Sequence, residues 1–125
     1  MSPTLANGKI CYLELPTSDP ERSAAFYSTV FGWRMRKRGD GSTAFDDTAG
    51  EVSGAFVANR TASDRPGLLV YIMVNDLART CELIAVRGGA VVQRAGAGEA
   101  RATARFRDPD GNVLGLYEHP APAHG

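Results

Sequence analysis

Histidine is almost absent from this 125-residue chain: only His119 and His124 occur, both at the C-terminal end, so chemistry built on imidazole has little to work with. Cysteine is equally sparse. Cys11 and Cys81 form neither a CxxC motif nor a disulfide framework, and their apolar surroundings read as buried thiols of a reducing compartment. Neither sign of charge prevails, with 14 Lys plus Arg against 14 Asp plus Glu, so no net field draws nucleic acid or an anionic membrane. No run approaches the roughly 18–20 apolar residues of a membrane span, and Met1 to Lys9 lacks an apolar signal core; a cytoplasmic protein is expected. G-x-S-x-G is missing, neither cysteine has a neighbouring histidine, and no glycine-rich piece carries a phosphate-binding lysine or the dinucleotide pattern. No cofactor is expected, and Gly96-Ala97-Gly98 reads as a loop.

What is present is a globular composition, 43% apolar with 14 glycines and 7 prolines, in a chain of single-domain length. Ile10 to Leu15 alternates as a strand. Ser18 and Glu21 form a capping box around Pro20, starting a helix whose buried stripe is Phe26, Tyr27, Val30 and Phe31 and which Gly32 ends. Extended segments follow at Trp33–Arg38, Thr43–Asp47 and Val52–Asn59, separated by Gly39-Asp40-Gly41 and Thr48-Ala49-Gly50, as an antiparallel meander. The basic run Arg34, Arg36, Lys37, Arg38, interleaved with Trp33 and Met35, reads as the wet face of a strand.

The pattern then restarts. After a turn-rich stretch over 60–67, Leu68–Val74 is a strand, Asn75 or Asp76 caps a helix carrying Leu77, Cys81 and Ile84, and Gly88-Gly89 ends it. Extended pieces follow at Ala90–Ala95, Arg101–Arg107 and Asn112–Glu118. Laying Asp19 on Asp76 brings Tyr12 onto Leu69, Arg22 onto Arg79, Phe26 onto Leu83 and Gly32 onto Gly89 without a gap. An α+β chain with the order β-α-β-β-β repeated is expected: one domain over 1–125, with module one about 8–59, a linker at 60–67, module two about 68–118 and a tail at 119–125.

Three stretches, Leu15-Pro16-x-x-Asp19-Pro20-Glu21-Arg22-Ser23-x-x-Phe26-Tyr27, Val30-Phe31-Gly32-Trp33 and Phe106-x-Asp108-Pro109-Asp110-Gly111-Asn112, resemble the vicinal oxygen chelate (glyoxalase and bleomycin-resistance) superfamily. The last also has a local reason, since Asp-Pro-Asp-Gly between apolar strands is strong turn chemistry. The resemblance implies two curved four-stranded sheets forming an open barrel-like cavity that binds a small molecule, often with a divalent metal. Such a fold hosts many chemistries, so the residues must be argued singly.

Counting from those motifs, the four family ligand positions fall on Tyr12, Gly54, Leu69 and Gly115, none of which is a usual metal ligand; a metal-free cavity is expected. Alternation then lines the cavity with Ile10, Tyr12, Glu14, Gly54, Phe56, Leu69, Tyr71, Met73, Val113, Gly115 and Tyr117. Glu14 is the one carboxylate there: an acid/base group, with Tyr12 as a second candidate, or the partner of a ligand amine, or else a strand-end residue that is wet or bonded to backbone. The tyrosines either donate hydrogen bonds to a ligand carbonyl or simply form walls, and Trp33 either closes the mouth or lies in the core. The first functional expectation is a binding protein that sequesters or carries a small aromatic or hydrophobic molecule. The alternative is a metal-free isomerase, lyase or cyclase using Glu14 and the tyrosines; a metal-dependent glyoxalase or dioxygenase is disfavoured. Bleomycin itself fits poorly, because relatives that bind this cationic drug tend to be acidic. A homodimer is expected on family grounds.

Overall fold

A computed structural model describes residues 3–95 and 102–119. The expected loop at Gly96-Ala97-Gly98, Arg101 and the tail beyond His119 lie outside the described residues. The chain divides into two compact units, Met1–Ala62 and Ser63–Gly125. Unit one runs β1 (Tyr12–Pro16), α1 (Pro20–Phe31), β2 (Arg34–Lys37), β3 (Thr43–Asp46) and β4 (Ser53–Val57). Unit two runs β5 (Tyr71–Val74), α2 (Leu77–Val86), β6 (Ala90–Ala95), β7 (Thr103–Arg107) and β8 (Val113–Glu118). Each unit builds one four-stranded sheet, ordered β1-β4-β3-β2 and β5-β8-β7-β6, and neither sheet closes on itself. The first strand of each unit pairs in parallel with the last; all other pairings are antiparallel. The repeated β-α-β-β-β order is therefore observed.

The cap of α1 is Asp19 rather than Ser18. Its backbone is extended (φ −147°) and its carboxylate accepts from the Arg22 amide at 3.2 Å, while the Ser18 hydroxyl accepts instead from the Arg22 guanidinium. Pro20 at the first helical position has no amide to leave unsatisfied. Gly32 ends the helix at φ 76°, a conformation that a side chain would strain. In α2 the Asp76 carboxylate caps through the Arg79 amide at 3.0 Å. Glu118 at the end of β8 adds a second anion there, accepting from the Leu77 amide at 2.8 Å.

Strand register decides what each sheet buries. In unit one, Leu13 stands against Gly54, and Leu15 against Phe56, while Phe45 also faces Gly54, all on the side covered by α1. There Tyr27, Trp33 and Phe45 stack in sequence at 4.7 Å between successive ring centroids, and Phe56 closes on Phe45 at 5.1 Å. In unit two, Ile84, Phe106, Leu114, Leu116 and Cys81 fill the space under α2. Burial pushes the Cys81 thiol pKa up. Cys11, expected to be buried, is exposed, because β1 begins only at Tyr12 and Cys11 precedes the covered part of the sheet.

Candidate functional site

The sheet face turned away from its helix carries the candidate functional residues of each unit. In unit one, Tyr12 and Glu14 stand there with Asp46 and Ser53, because Tyr12 pairs with Ser53 and Ser53 with Asp46. The Arg38 guanidinium lies over the Tyr12 ring, 5.5 Å from its centroid, and donates to the phenol oxygen. Glu14 is held by Arg60, Nη1 to Oε1 at 2.6 Å. Asp46 is gripped by Arg36 through two parallel bonds, each 3.0 Å, and accepts a third from the Ser53 hydroxyl at 2.6 Å. The basic run is thus partly spent on this face, Arg36 in an ion pair with Asp46 and Arg38 against the Tyr12 ring.

The Arg36 fork and the Ser53 hydroxyl hold the Asp46 carboxyl at about 2, below the usual carboxylate range. A depressed folded-state pKa gives stability that is fully present above the ordinary value of 3.8 and is lost as pH falls through about 2. With the Asp46 side chain 32% exposed, screening limits the gain to about 1 kcal/mol. Asp46→Asn is therefore expected to lower the urea midpoint at neutral pH, with the gap to the parent closing between pH 4 and pH 2. A gap that stays constant across that range would remove Asp46 as its source.

In unit two the corresponding face carries Tyr71, Met73, Gly115 and Tyr117, since Tyr71 pairs with Gly115 and Met73 with Tyr117. Gly115 has a specific role: a Cβ added there would stand 2.7 Å from two carbons of the Tyr71 ring, so the ring occupies the space that a side chain would fill. Across β8, Gly115 faces Arg105 and Tyr117 faces Thr103. Leu69 is half-buried ahead of β5, outside any strand, and Val113 at the end of the face is buried. Ile10, before β1, is exposed.

Three expected cavity residues are placed elsewhere. Gly54 and Phe56 lie on the α1 side, because the parallel pairing sets Ser53, not Gly54, against Tyr12; a shift of one residue exchanges the faces of a strand. Trp33 is buried between Tyr27 and Phe45, which settles its two readings in favour of the core. Conversely, Arg105, Arg60 and the contact of Arg38 with Tyr12 were not foreseen. The alternation Thr103, Arg105, Arg107 along β7 carried the signal for the first; the others depend on tertiary contact.

The described residues do not offer a ligand set for a divalent metal. Among the described residues no three of His, Cys, Asp and Glu come together as a ligand set. In unit one Ser53 takes the place assigned to Gly54 beside Tyr12, and its hydroxyl is already bonded to Asp46 and the Tyr12 phenol to Arg38; in unit two the assigned places hold Leu69 and Gly115, which offer no donor side chain. His119 pairs with Asn75 at 2.6 Å.

A family model described as the Glyoxalase/Bleomycin resistance protein/Dioxygenase superfamily matches residues 9–116. The chain belongs to this superfamily. This superfamily member is 30% identical over 90 residues to a glyoxylase-like domain-containing protein of Didymella fabae, covering 66% of this chain and 70% of that one. It is 27% identical to a probable lactoylglutathione lyase of Vibrio parahaemolyticus, covering 97% and 98%. Among solved structures it is similar to an antibiotic binding protein from Streptomyces, with a TM-score of 0.67 and 25% identity over 94% of this chain and all of the other (100%). The two α+β sheets and their helices are those of the superfamily fold. Among the described residues no helix is long and apolar enough to cross a membrane.

Proposed function

We propose that this superfamily member binds a small aromatic or hydrophobic organic molecule without a metal ion, and that it sequesters or carries the molecule rather than transforming it. The observation that carries this reading is the character of the unit-two face: Tyr71 and Met73 are 49% and 64% exposed on a sheet face where no imidazole or carboxylate stands among the described residues. Similarity to an antibiotic binding protein supports it. The acid/base alternative needs Glu14 free to exchange a proton with a substrate, whereas Glu14 is engaged by Arg60. Homodimerisation and a cytoplasmic location complete the proposal.

Metal analysis of protein purified without chelator or histidine tag, beside native mass spectrometry, tests the reading. The expected result is no stoichiometric metal and an organic adduct that dissociates intact. Stoichiometric metal, or turnover of the glutathione–methylglyoxal hemithioacetal, overturns it in favour of a metal-dependent glyoxalase.

A further inference from the structure

Among the described residues the charges on the Tyr71 face are of one sign. Arg105 and Arg107, two residues apart on β7, both project onto it, since Arg105 pairs with Gly115 and Arg107 with Val113. Both are exposed, and among the described residues neither has a carboxylate within ion-pair distance. The carboxylates described in unit two are committed elsewhere. Asp76 and Glu118 serve the start of α2, Glu82 lies on that helix, Asp108 and Asp110 belong to the β7–β8 turn, and Asp64 precedes β5. A guanidinium with no carboxylate partner among the described residues, standing on an aromatic face, is complementary to an anion.

The geometry says more than sign. With no side chain at 115, the Tyr71 ring lies across β8 toward Arg105, leaving half its surface open. Neighbouring strands are spaced about 4.8 Å apart, so a flat ring system resting on Tyr71 brings an edge substituent within reach of the guanidinium on the far side of β8. The guanidinium fork matches a carboxylate through two parallel hydrogen bonds. Met73 and Tyr117, in the adjacent row, supply apolar and sulfur contact for the same ring.

We infer that the ligand is a flat aromatic acid, stacked on Tyr71 with its carboxylate held by Arg105. This rests on the binding reading above and adds the ligand's chemical class.

Isothermal titration with three probes of one ring system tests it: 2-naphthoate, 2-naphthylmethanol and 2-naphthylmethylammonium. Naphthoate is expected to bind about tenfold more tightly than the alcohol, and the ammonium most weakly. Arg105→Gln is expected to bring naphthoate down to the level of the alcohol, with Arg105→Lys retaining part of the preference. Gly115→Ala, which pushes the Tyr71 ring off the strand, weakens naphthoate and alcohol together. An alcohol that binds as tightly as naphthoate overturns the acid but leaves small-molecule binding intact. Absence of binding by all three overturns both readings. A preference that survives Arg105→Gln removes Arg105 as the anion's partner; circular dichroism confirms that each variant is folded.

Discussion

Gly54→Ala is expected to destabilise unit one by about 3 kcal/mol, at the upper end of the cost of overfilling a packed core. The new Cβ would stand 2.2 Å from the Leu13 carbonyl oxygen and 2.3 Å from the Phe45 ring edge, both far inside contact distance. The Phe45 ring is fixed between Trp33 and Phe56 and has no free rotamer to retreat to, and the carbonyl belongs to the backbone of β1, which can withdraw only by loosening its pairing with β4. Urea unfolding should show a lower midpoint with unchanged slope. A second change separates the two clashes: Phe45→Leu in the Gly54→Ala background relieves the ring but not the carbonyl. The double variant should therefore recover only part of what additivity of the single changes would otherwise cost. An unaltered midpoint in Gly54→Ala would show that β1 and β4 are less tightly joined than their register requires.

Asp108→Ala should have an effect of similar size for a polar reason. Asp108, 3% exposed, accepts from the amides of Asp110 and Asn112 at 3.0 and 2.9 Å and from the Asn112 side chain at 3.1 Å. Asn112, 1% exposed, passes the network on by accepting from the Ser63 amide at 2.8 Å. Alanine would leave three donors without this acceptor, in a place where water has little access, at a cost of about 3 kcal/mol and a fall in Tm of about 10 °C. Asp108→Asn keeps one acceptor oxygen and should fall about half as far. Faster amide exchange at Ser63 and Asn112 would accompany the loss, localising it to the β7–β8 turn and the segment it anchors. A Tm within a degree or two of the parent would mean that the turn holds its shape through its backbone bonds alone, such as Asp108 N–H to Asn112 C=O at 2.8 Å.

The same turn shows why so much of the fold was legible in the sequence. Asp-Pro-Asp-Gly, Gly32 and Asp76 act through neighbours in sequence, and their chemistry specifies local geometry wherever they occur, while at α1 the cap fell on Asp19, one residue past the expected Ser18. Alternation identified β1, where one face is wet, and placed Tyr12 and Glu14 together. It failed on β4 because Gly54, Ala55 and Phe56 are all buried, so neither side of that strand is marked by polarity and only its pairing with β1 decides which way each residue points. Trp33 sits just before β2, where helix-to-strand geometry rather than period aims the ring. Arg60 meets Glu14, and Arg38 meets Tyr12, across long sequence separations that no local pattern records. Arg105 was readable in the alternation of β7, but its meaning depended on Gly115 and Tyr71, contributed by two other strands.

The parallel pairing of each unit's first and last strands also sets an order of events during synthesis. Tyr12 waits for Ser53, 41 residues later by subtraction of their numbers, and Tyr71 waits for Gly115, 44 residues later. At a translation rate of about 5–20 residues per second, β1 emerges from the ribosome roughly 2–8 s before its hydrogen-bonding partner exists. Helix α1 and the β2–β3 hairpin, whose bonds are local, can form within that interval. The strand bearing Tyr12 and Glu14 is then the first part of the sheet to be made and the last to be docked, as is β5 with Tyr71 and Met73 in the second unit.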